Sequence, residues 1–177
     1  MESPYLQFKN LCESRKSCRK FKSDVIPPES IEDILTIAKK SPYAGGSKNW
    51  GISVLNDKNL INSLSAAIAK EVITTSELMD REGAELFIKY SQNFHFFKEA
   101  PLILIPYFKV SSVMTPLLRG SVTESLLQWE RDNSVKSISC VSMIILLAAE
   151  SLGLGACYMT GPLIAGKKIS EIAKIPP

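Results

Sequence analysis

Two arginines and a serine alternate near the start of the chain, and together these residue types could hold a phosphate group. Arg15, Ser17 and Arg19 are separated by single residues, and Lys16 adds a further cation. On an extended backbone alternate side chains point to one side, so both guanidinium groups and the hydroxyl would face one ligand. Arginine binds phosphate oxygens through paired hydrogen bonds. The alternative is a solvated basic face before a helix, and the spacing taken alone favours that alternative.

A second candidate is the turn-rich stretch of residues 41–50. Its small residues Gly45 and Gly46 would let a planar ligand approach the backbone, while Ser47, Lys48 and Asn49 offer polar groups. A plain loop between a helix and a strand is the other interpretation. For this stretch in isolation the plain loop is the better one, because loops ordinarily contain such residues.

The third candidate follows the last strongly apolar helix of the sequence. Gly153 and Gly155 end that helix instead of beginning one, so they are not a dinucleotide-binding fingerprint. Glycine at a helix C-terminus is ordinary capping. The backbone N–H groups of Thr160 and Gly161, past the end of a short strand, could meet a ligand atom.

The remaining reactive side chains exclude several enzyme classes. The one histidine, His95, has no companion set for nucleophilic catalysis, and the carboxylates form no obvious pair. The cysteines lack a C-x-x-C pair and zinc-site spacing, which indicates free thiols in a reducing cytosol and no metal. They are Cys12, Cys18, Cys140 and Cys157. Redox chemistry remains, because a bound cofactor would carry it and the protein would only bind and orient.

Length and composition indicate one soluble domain. The chain has 177 residues, 45% of them hydrophobic and 22% charged, with a net charge of +3. Cations and anions are mixed along most of it, so no nucleic-acid partner is expected. The N-terminus shows no signal peptide, and the longest apolar stretch, residues 138–149, is shorter than the ~20 residues that span a bilayer. We therefore expect a cytoplasmic protein without a membrane partner.

Helices and short strands alternate around these segments. Apolar periodicity predicts helices over residues 5–14, 60–70, 71–92 and 167–174, and a further helix that Pro27 and Pro28 open and Ser41-Pro42 ends. Residues 135–151 predict the most apolar helix, which suits a buried core and a subunit interface equally. Strands are predicted at residues 50–55, 101–105 and 156–159, with Pro106 ending or bulging the second. Residues 111–121 are predicted as an unassigned loop. The alternation indicates a mixed α/β domain.

Taken in order, these segments resemble the FMN-dependent nitroreductase family. An R-x-S-x-[RK] stretch opens that family, as residues 15–19 do here, and an A-P-S-x-x-N-x-Q-P-W-like loop corresponds to residues 41–50. Its A-P strand corresponds to Ala100-Pro101, and its G-L-G turn to residues 153–155. Each motif is unspecific by itself, but the ordered set covers nearly the whole chain.

The resemblance implies an α/β (α+β) fold with a central, mainly antiparallel sheet flanked by helices, in a single FMN-binding domain over residues 1–177. Family members run on past a segment like residues 172–176 into another strand and a basic residue that helps to bind phosphate. This chain stops at Pro177. We therefore expect the C-terminal strand to be missing and the phosphate affinity to be reduced.

The resemblance also implies roles for individual residues. Arg15 and Ser17 would hold the FMN phosphate with help from Lys16, and Arg19 would steady the pyrimidine end of the reduced flavin. The remaining implied FMN contacts are Pro42, Tyr43 and Ala44 from the neighbouring subunit, Lys48, Asn93, and Thr160 and Gly161 beside the flavin N5. No side chain is implied as a catalytic acid or base, because the flavin N5 carries the hydride. Lys48, Asn49 and Gly46 depart from the family's usual Gln, Pro and Asn, and so could alter the pyrimidine contacts.

Two functions follow from the resemblance. The first is a homodimeric oxidoreductase that passes electrons from NAD(P)H through FMN to a small acceptor such as a nitroaromatic, quinone, enone or free flavin. The second is a degenerate relative that dimerises and binds flavin or another partner without turnover. The altered loop and the missing strand motivate the second.

Overall fold

A computed structural model of the chain describes residues 2–44, 49–109 and 123–176. The elements in these ranges are six α-helices, two strands and three short 3-10 helices. The helices are α1 (Pro4–Ser14), α2 (Pro28–Ala38), α3 (Lys58–Ser76), α4 (Arg81–Ser91), α5 (Glu124–Ser151) and α6 (Gly166–Ile172), and the strands are β1 (Trp50–Leu55) and β2 (Ile103–Phe108). The 3-10 helices span Gln92–Phe94, Phe96–Glu99 and Gly161–Ala165. The predicted loop over residues 111–121 and the candidate Lys48 lie outside the described ranges.

The helix starts follow the capping chemistry of the sequence. The Ser3 hydroxyl accepts a hydrogen bond from the Leu6 amide at the start of α1, and the Asp80 carboxylate accepts one from the Gly83 amide at the start of α4. At α2 the prolines provide the start, with Pro27 at the cap and Pro28 in the first turn, where a missing N–H costs nothing. The predictions for α1, α2 and β1 are confirmed.

In the described residues the sheet consists of the two antiparallel strands β1 and β2. Trp50 pairs with Phe108 at one end, and Leu55 pairs with Ile103 at the other. Pro106 lies inside the ladder opposite Ile52, so the expectation that it ends or bulges the strand is wrong. A proline is tolerated there because β2 is an edge strand in this sheet, where a missing N–H on the outer side costs no ladder bond.

Two apolar clusters form the interior on the described part of the chain. One joins α3 and α6 with the residues that follow α4, and its members include Ile61, Ile68 and Phe94. The other joins α2 and α5 and is covered by the strands, with Ile34, Val141 and Ile145 among its members. A mostly helical α+β fold with a small antiparallel sheet results, as the resemblance implied.

Helix α5 begins eleven residues before the predicted start at Val135. Its 28 residues have a window with a mean hydropathy of 1.5, so by length and composition it could cross a membrane, a property that central helices of soluble proteins share. The predicted apolar stretch, residues 138–149, is thus one part of a longer helix that passes this test of length and composition. In this fold α5 packs on α2, β2 and α1.

Two further predictions are corrected by the structure. Helix α3 continues past residue 70 to Ser76, and the break falls at residues 77–80, where Asp80 caps the next helix. The predicted strand over residues 156–159 is reduced to a single bridge, in which Ala156 pairs in parallel with Ser17. An apolar run can pair as a strand only where a neighbouring backbone runs beside it, and Ser17 is the partner that the structure places there.

Candidate functional site

The basic segment, residues 15–19, is fixed to the stretch that follows α5. The Cys18 amide donates a hydrogen bond to the Ala156 carbonyl at 3.0 Å, within the bridge between Ser17 and Ala156. A Cβ atom on Gly155 would lie 2.9 Å from the Cys18 sulfur, so the two backbones approach closely because residue 155 is glycine. The segment is therefore extended and anchored next to residues 155–157.

The cations of the basic segment are available to a ligand. Among the described residues the ion pairs are Lys9–Glu13, Arg81–Glu85 and Lys168–Glu171, and none of them includes Arg15, Lys16 or Arg19. Lys16, Ser17 and Arg19 are exposed, and Arg15 is half-buried. Cations and a hydroxyl on an anchored, extended strand can bind an anion with little ordering cost.

The basic segment is one wall of the candidate site. Residues 92–99 form the second wall, made of the consecutive 3-10 turns Gln92–Phe94 and Phe96–Glu99. The buried Phe94 ring lies against Gly161, and a Cβ atom on that glycine would overlap it. The Arg19 guanidinium carbon lies 6.0 Å from the centroid of the Phe96 ring. Residues 92–99 thus contact both the basic segment and the turn at residues 160–161.

Two predicted site residues lie at this second wall and are open to solvent. Asn93 is exposed, and its side-chain amide donates to the Tyr90 carbonyl at 3.1 Å. Thr160 is exposed and precedes the 3-10 helix that begins at Gly161. Sequence reasoning took the backbone N–H of Gly161 as a contact for a ligand atom. The structure gives a further reason why residue 161 is glycine, because Phe94 occupies the space that a Cβ atom would need.

Sequence reasoning missed Phe94 and Phe96. An aromatic pair at a spacing of two in a run of Phe and His has the appearance of ordinary core, and nothing local marks either ring as a neighbour of Arg19 or Gly161. One signal in the sequence could have found them. Polar residues are interspersed among the aromatic residues just after α4, which is unusual for a core segment.

The predicted residues Pro42, Tyr43 and Ala44 lie elsewhere in the fold, packed against α5. The Ala44 amide donates to the Ser137 hydroxyl at 3.0 Å, and the Tyr43 ring stacks on Trp50 with centroids 5.9 Å apart. With Lys136, Ser137 and Cys140 these residues line a shallow depression of about 340 Å³. Burial raises the pKa of Tyr43, and the neighbouring Ser134 hydroxyl opposes that shift.

The site has one titratable group with a perturbed pKa beside the second wall. His95 Nδ1 lies 3.0 Å from the Ser65 hydroxyl, and burial together with the nearby Lys98 cation lowers the pKa of the imidazole. The ring is therefore neutral near pH 7 and adds no charge beside Arg19. Within residues 2–44, 49–109 and 123–176 no group of three or more His, Cys, Asp or Glu side chains could hold a metal ion. The arrangement suits a bound anionic cofactor more than side-chain acid–base catalysis.

Comparison with known proteins gives a consistent set of relatives. The model of the Nitroreductase family matches residues 12–177. An iodotyrosine dehalogenase 1 homolog from Caenorhabditis elegans is 27% identical over 164 residues, which cover 92% of this chain and 48% of that protein. The chain therefore spans about half the length of this relative.

Solved structures show the same fold. A BluB-like flavoprotein from Clostridium difficile 630 superposes with a TM-score of 0.83 at 23% identity, covering 98% of this chain and 81% of that one. An FMN-dependent nitroreductase from Mycobacterium smegmatis, solved in complex with NADPH, has a TM-score of 0.67 at 14% identity, covering 98% and 83%. Identities this low establish similarity of fold alone.

Proposed function

Because the chain belongs to the nitroreductase family, we propose that it is an FMN-dependent oxidoreductase that passes electrons from NAD(P)H to a small acceptor. The observation that carries the proposal is the anchored basic segment, whose cations join no ion pair among the described residues. An extended strand with free guanidinium groups suits a phosphate-bearing cofactor. When bound, FMN would supply the hydride chemistry that no constellation of described side chains offers.

The proposed binding mode follows the order of contacts along the anchored strand. Arg15 and Ser17, with Lys16, would hold the phosphate, because two of them are exposed and the half-buried Arg15 is less free to move. Arg19 would approach the pyrimidine end, where a cation stabilises the negative charge of the reduced ring. Thr160 and Gly161 would lie beside N5, and Asn93 would contribute an amide from the second wall.

We further propose that the working unit is a homodimer. Helix α1 buries none of its residues in this fold, and its apolar side chains Tyr5 and Phe8 are 74% and 57% exposed. It packs on α5, where Met143 is also exposed, so apolar side chains of the two neighbouring helices remain open to a second copy. A partner subunit would bring its own residues 42–44 to the flavin, and Lys48 of the same loop would be a further FMN contact.

The acceptor is proposed by class only. Nitroaromatics, quinones, enones and free flavin are all flat and electron-poor, and each could receive hydride from an exposed flavin face. The dehalogenase homolog adds halogenated phenols to the set to be tested. NADPH in the Mycobacterium smegmatis structure makes NADPH the first donor to try, with NADH beside it.

A titration of the purified protein with FMN tests the proposal. We expect one FMN per chain, followed by oxidation of NADPH or NADH when one of the acceptors is added. Arg81 carries an exposed pair with Glu85 outside the site, so Arg81→Ala is the matched control for Arg15→Ala. A protein that binds FMN tightly and turns over neither nicotinamide would instead be the degenerate flavin-binding module. A protein that binds no FMN would overturn the proposal.

A further inference from the structure

The two turns of residues 92–99 are fixed from within. Phe94 and Phe97 are both buried in the apolar cluster around α3. The Lys98 amide donates to the His95 carbonyl at 3.0 Å, and the Ala100 amide donates to the Phe97 carbonyl at 2.9 Å. With buried rings on both sides of it, Phe96 has little freedom of backbone position.

The same turns are also fixed to α3 from outside. The buried Ser65 hydroxyl of α3 lies 3.0 Å from His95 Nδ1. The Lys58 ammonium, at the first residue of α3, donates to the Lys98 carbonyl at 2.6 Å. These contacts flank Phe96 in sequence, so its ring is presented by a rigid support.

Phe96 differs from its two aromatic neighbours in what it contacts. Phe94 and Phe97 are buried, whereas Phe96 is only half-buried and lies beneath the Arg19 guanidinium. Arg19 is exposed and joins no ion pair among the described residues. A long arginine side chain without a fixed contact samples many rotamers, and a ring face at 6 Å restricts them through cation–π attraction.

We propose that Phe96 is a positioning residue for Arg19, holding the guanidinium where it stabilises the reduced state of bound FMN. The inference rests on the proposed function, because it requires FMN to lie beside Arg19. It assigns a role to an aromatic side chain that does not itself need to touch the flavin. The ring pre-orients the cation, so less of the binding free energy goes into ordering it.

The consequence is a coupled effect on FMN affinity and on flavin potential. Phe96→Leu keeps the volume and apolarity of the side chain but removes the ring face. We expect FMN affinity to fall roughly two- to fivefold, the range of an exposed cation–π contact, and the midpoint potential of the bound flavin to become more negative. Phe96→Trp provides a ring face that attracts a cation more strongly. It should retain the affinity for FMN and make the midpoint potential of the bound flavin less negative.

The experiment compares four single variants and one double variant by FMN titration of the apoprotein and by redox equilibration of the bound flavin against a reference dye. The single variants are Phe96→Leu, Phe96→Trp, Arg19→Ala and the matched control Phe97→Leu. Phe97 is in the same turn and is buried in the apolar cluster around α3, so its variant should lower thermal stability and leave the flavin potential unchanged. In the double variant Arg19→Ala/Phe96→Leu, the affinity loss should equal that of Arg19→Ala alone, because the ring acts only through the guanidinium.

The outcomes separate this inference from the proposed function. If Arg19→Ala weakens FMN binding and Phe96→Leu changes neither affinity nor potential, the positioning role is wrong and the proposed function stands. If Arg15→Ala and Arg19→Ala both leave FMN binding unchanged, the site itself is misplaced and both proposals fail. If Phe96→Leu does not fold, Phe96→Trp decides, and an unchanged potential in that variant overturns the positioning role.

Discussion

The two halves of the candidate site differ in how the chain holds them. The cationic half, residues 15–19 with residues 155–161 and 92–99, is fixed by a backbone bridge, close glycine contacts and buried aromatic rings within one chain. The loop half, residues 42–44, is held by one hydrogen bond from the Ala44 amide to the Ser137 hydroxyl of α5 and by the stacking of Tyr43 on Trp50 of β1. One chain therefore holds the proposed anion-binding half by itself, whereas the loop half would be completed by the proposed dimer.

The largest effect should come from breaking the assembly. Phe8→Glu places a charge on the exposed apolar face of α1, where the side chain is 57% exposed and supports no core. In a two-fold interface each substitution acts twice, so losing two buried aromatic side chains would cost dimerisation about 3–6 kcal/mol. Sedimentation at micromolar concentration should then show a folded monomer.

The exposed pair of residues Lys9 and Glu13 on the same helix offers a control. Lys9→Glu changes the charge of α1 by twice as much as Phe8→Glu does, without removing an apolar contact. A dimer that persists in Phe8→Glu, or that dissociates equally in Lys9→Glu, would contradict an apolar interface at α1. If FMN is lost together with the dimer, the loop half is indeed supplied by the partner.

A smaller effect, confined to the cationic half, should follow Gly161→Ala. The added Cβ would overlap the buried Phe94 ring, which has to shift together with the turns that support Phe96. We expect thermal unfolding to show a loss of about 3 kcal/mol in the free energy of unfolding, as for other overpacked sites. Gly166→Ala is the matched control, because a Cβ there meets nothing within 4 Å and the residue lies at the start of α6. Equal stabilities of the two variants would show that the Phe94–Gly161 contact is not tight.

Arg15→Ala tests the end of the cationic half that is proposed to bind the FMN phosphate. Charge-assisted hydrogen bonds are worth roughly 1.5–3 kcal/mol each, so the affinity for FMN should fall at least tenfold while the fold is kept. The half-buried position of Arg15 favours a larger loss than at the exposed Lys16. The FMN titration that gives this affinity should show a smaller change for Lys16→Ala. Unchanged affinity in Arg15→Ala would place the phosphate elsewhere.

The sequence predicts the parts of the fold that local chemistry dictates. Helix α2 follows from its two prolines and its apolar face, and β1 follows from a short apolar run between turn residues. The start of α5 is missed because residues 124–134 are largely polar, so no apolar period marks that half of the helix. The break between α3 and α4 is predicted after residue 70 and is misplaced, because the real signal is Asp80, whose carboxylate caps α4 by accepting from the Gly83 amide.

The candidate site shows the same division between local and non-local information. Residue types and spacing make Arg15, Ser17 and Arg19 a candidate anion-binding set, but taken alone they favour a solvated basic face, and the resemblance supplies the assignment. Their support could not be predicted, because Ser17 pairs with Ala156, far along the chain, and Arg19 meets Phe96 only after folding. Aromatic residues usually lie in the core, so the spacing of Phe94 and Phe96 does not reveal that Phe94 packs in the interior whereas Phe96 is proposed to position Arg19.

The smallest expected effect is a pH dependence that reports on the support of the cationic half. Burial and Lys98 lower the pKa of His95 in the folded state below its usual value of about 6.5. Between the folded pKa and about 6.5 the unfolded chain binds more protons than the folded protein does, so the free energy of unfolding falls as the pH drops through this window. Above the window the full contribution of His95 to stability is present. Urea unfolding at several pH values should show this slope in the wild type and lose it in His95→Gln, whereas Lys98→Gln should narrow the window. In the folded protein the imidazole beside Ser65 stays neutral through this window, so the slope reports proton binding by the unfolded chain. An identical slope in wild type and His95→Gln would mean that another group titrates, and that the turns of residues 92–99 are held by their buried rings alone.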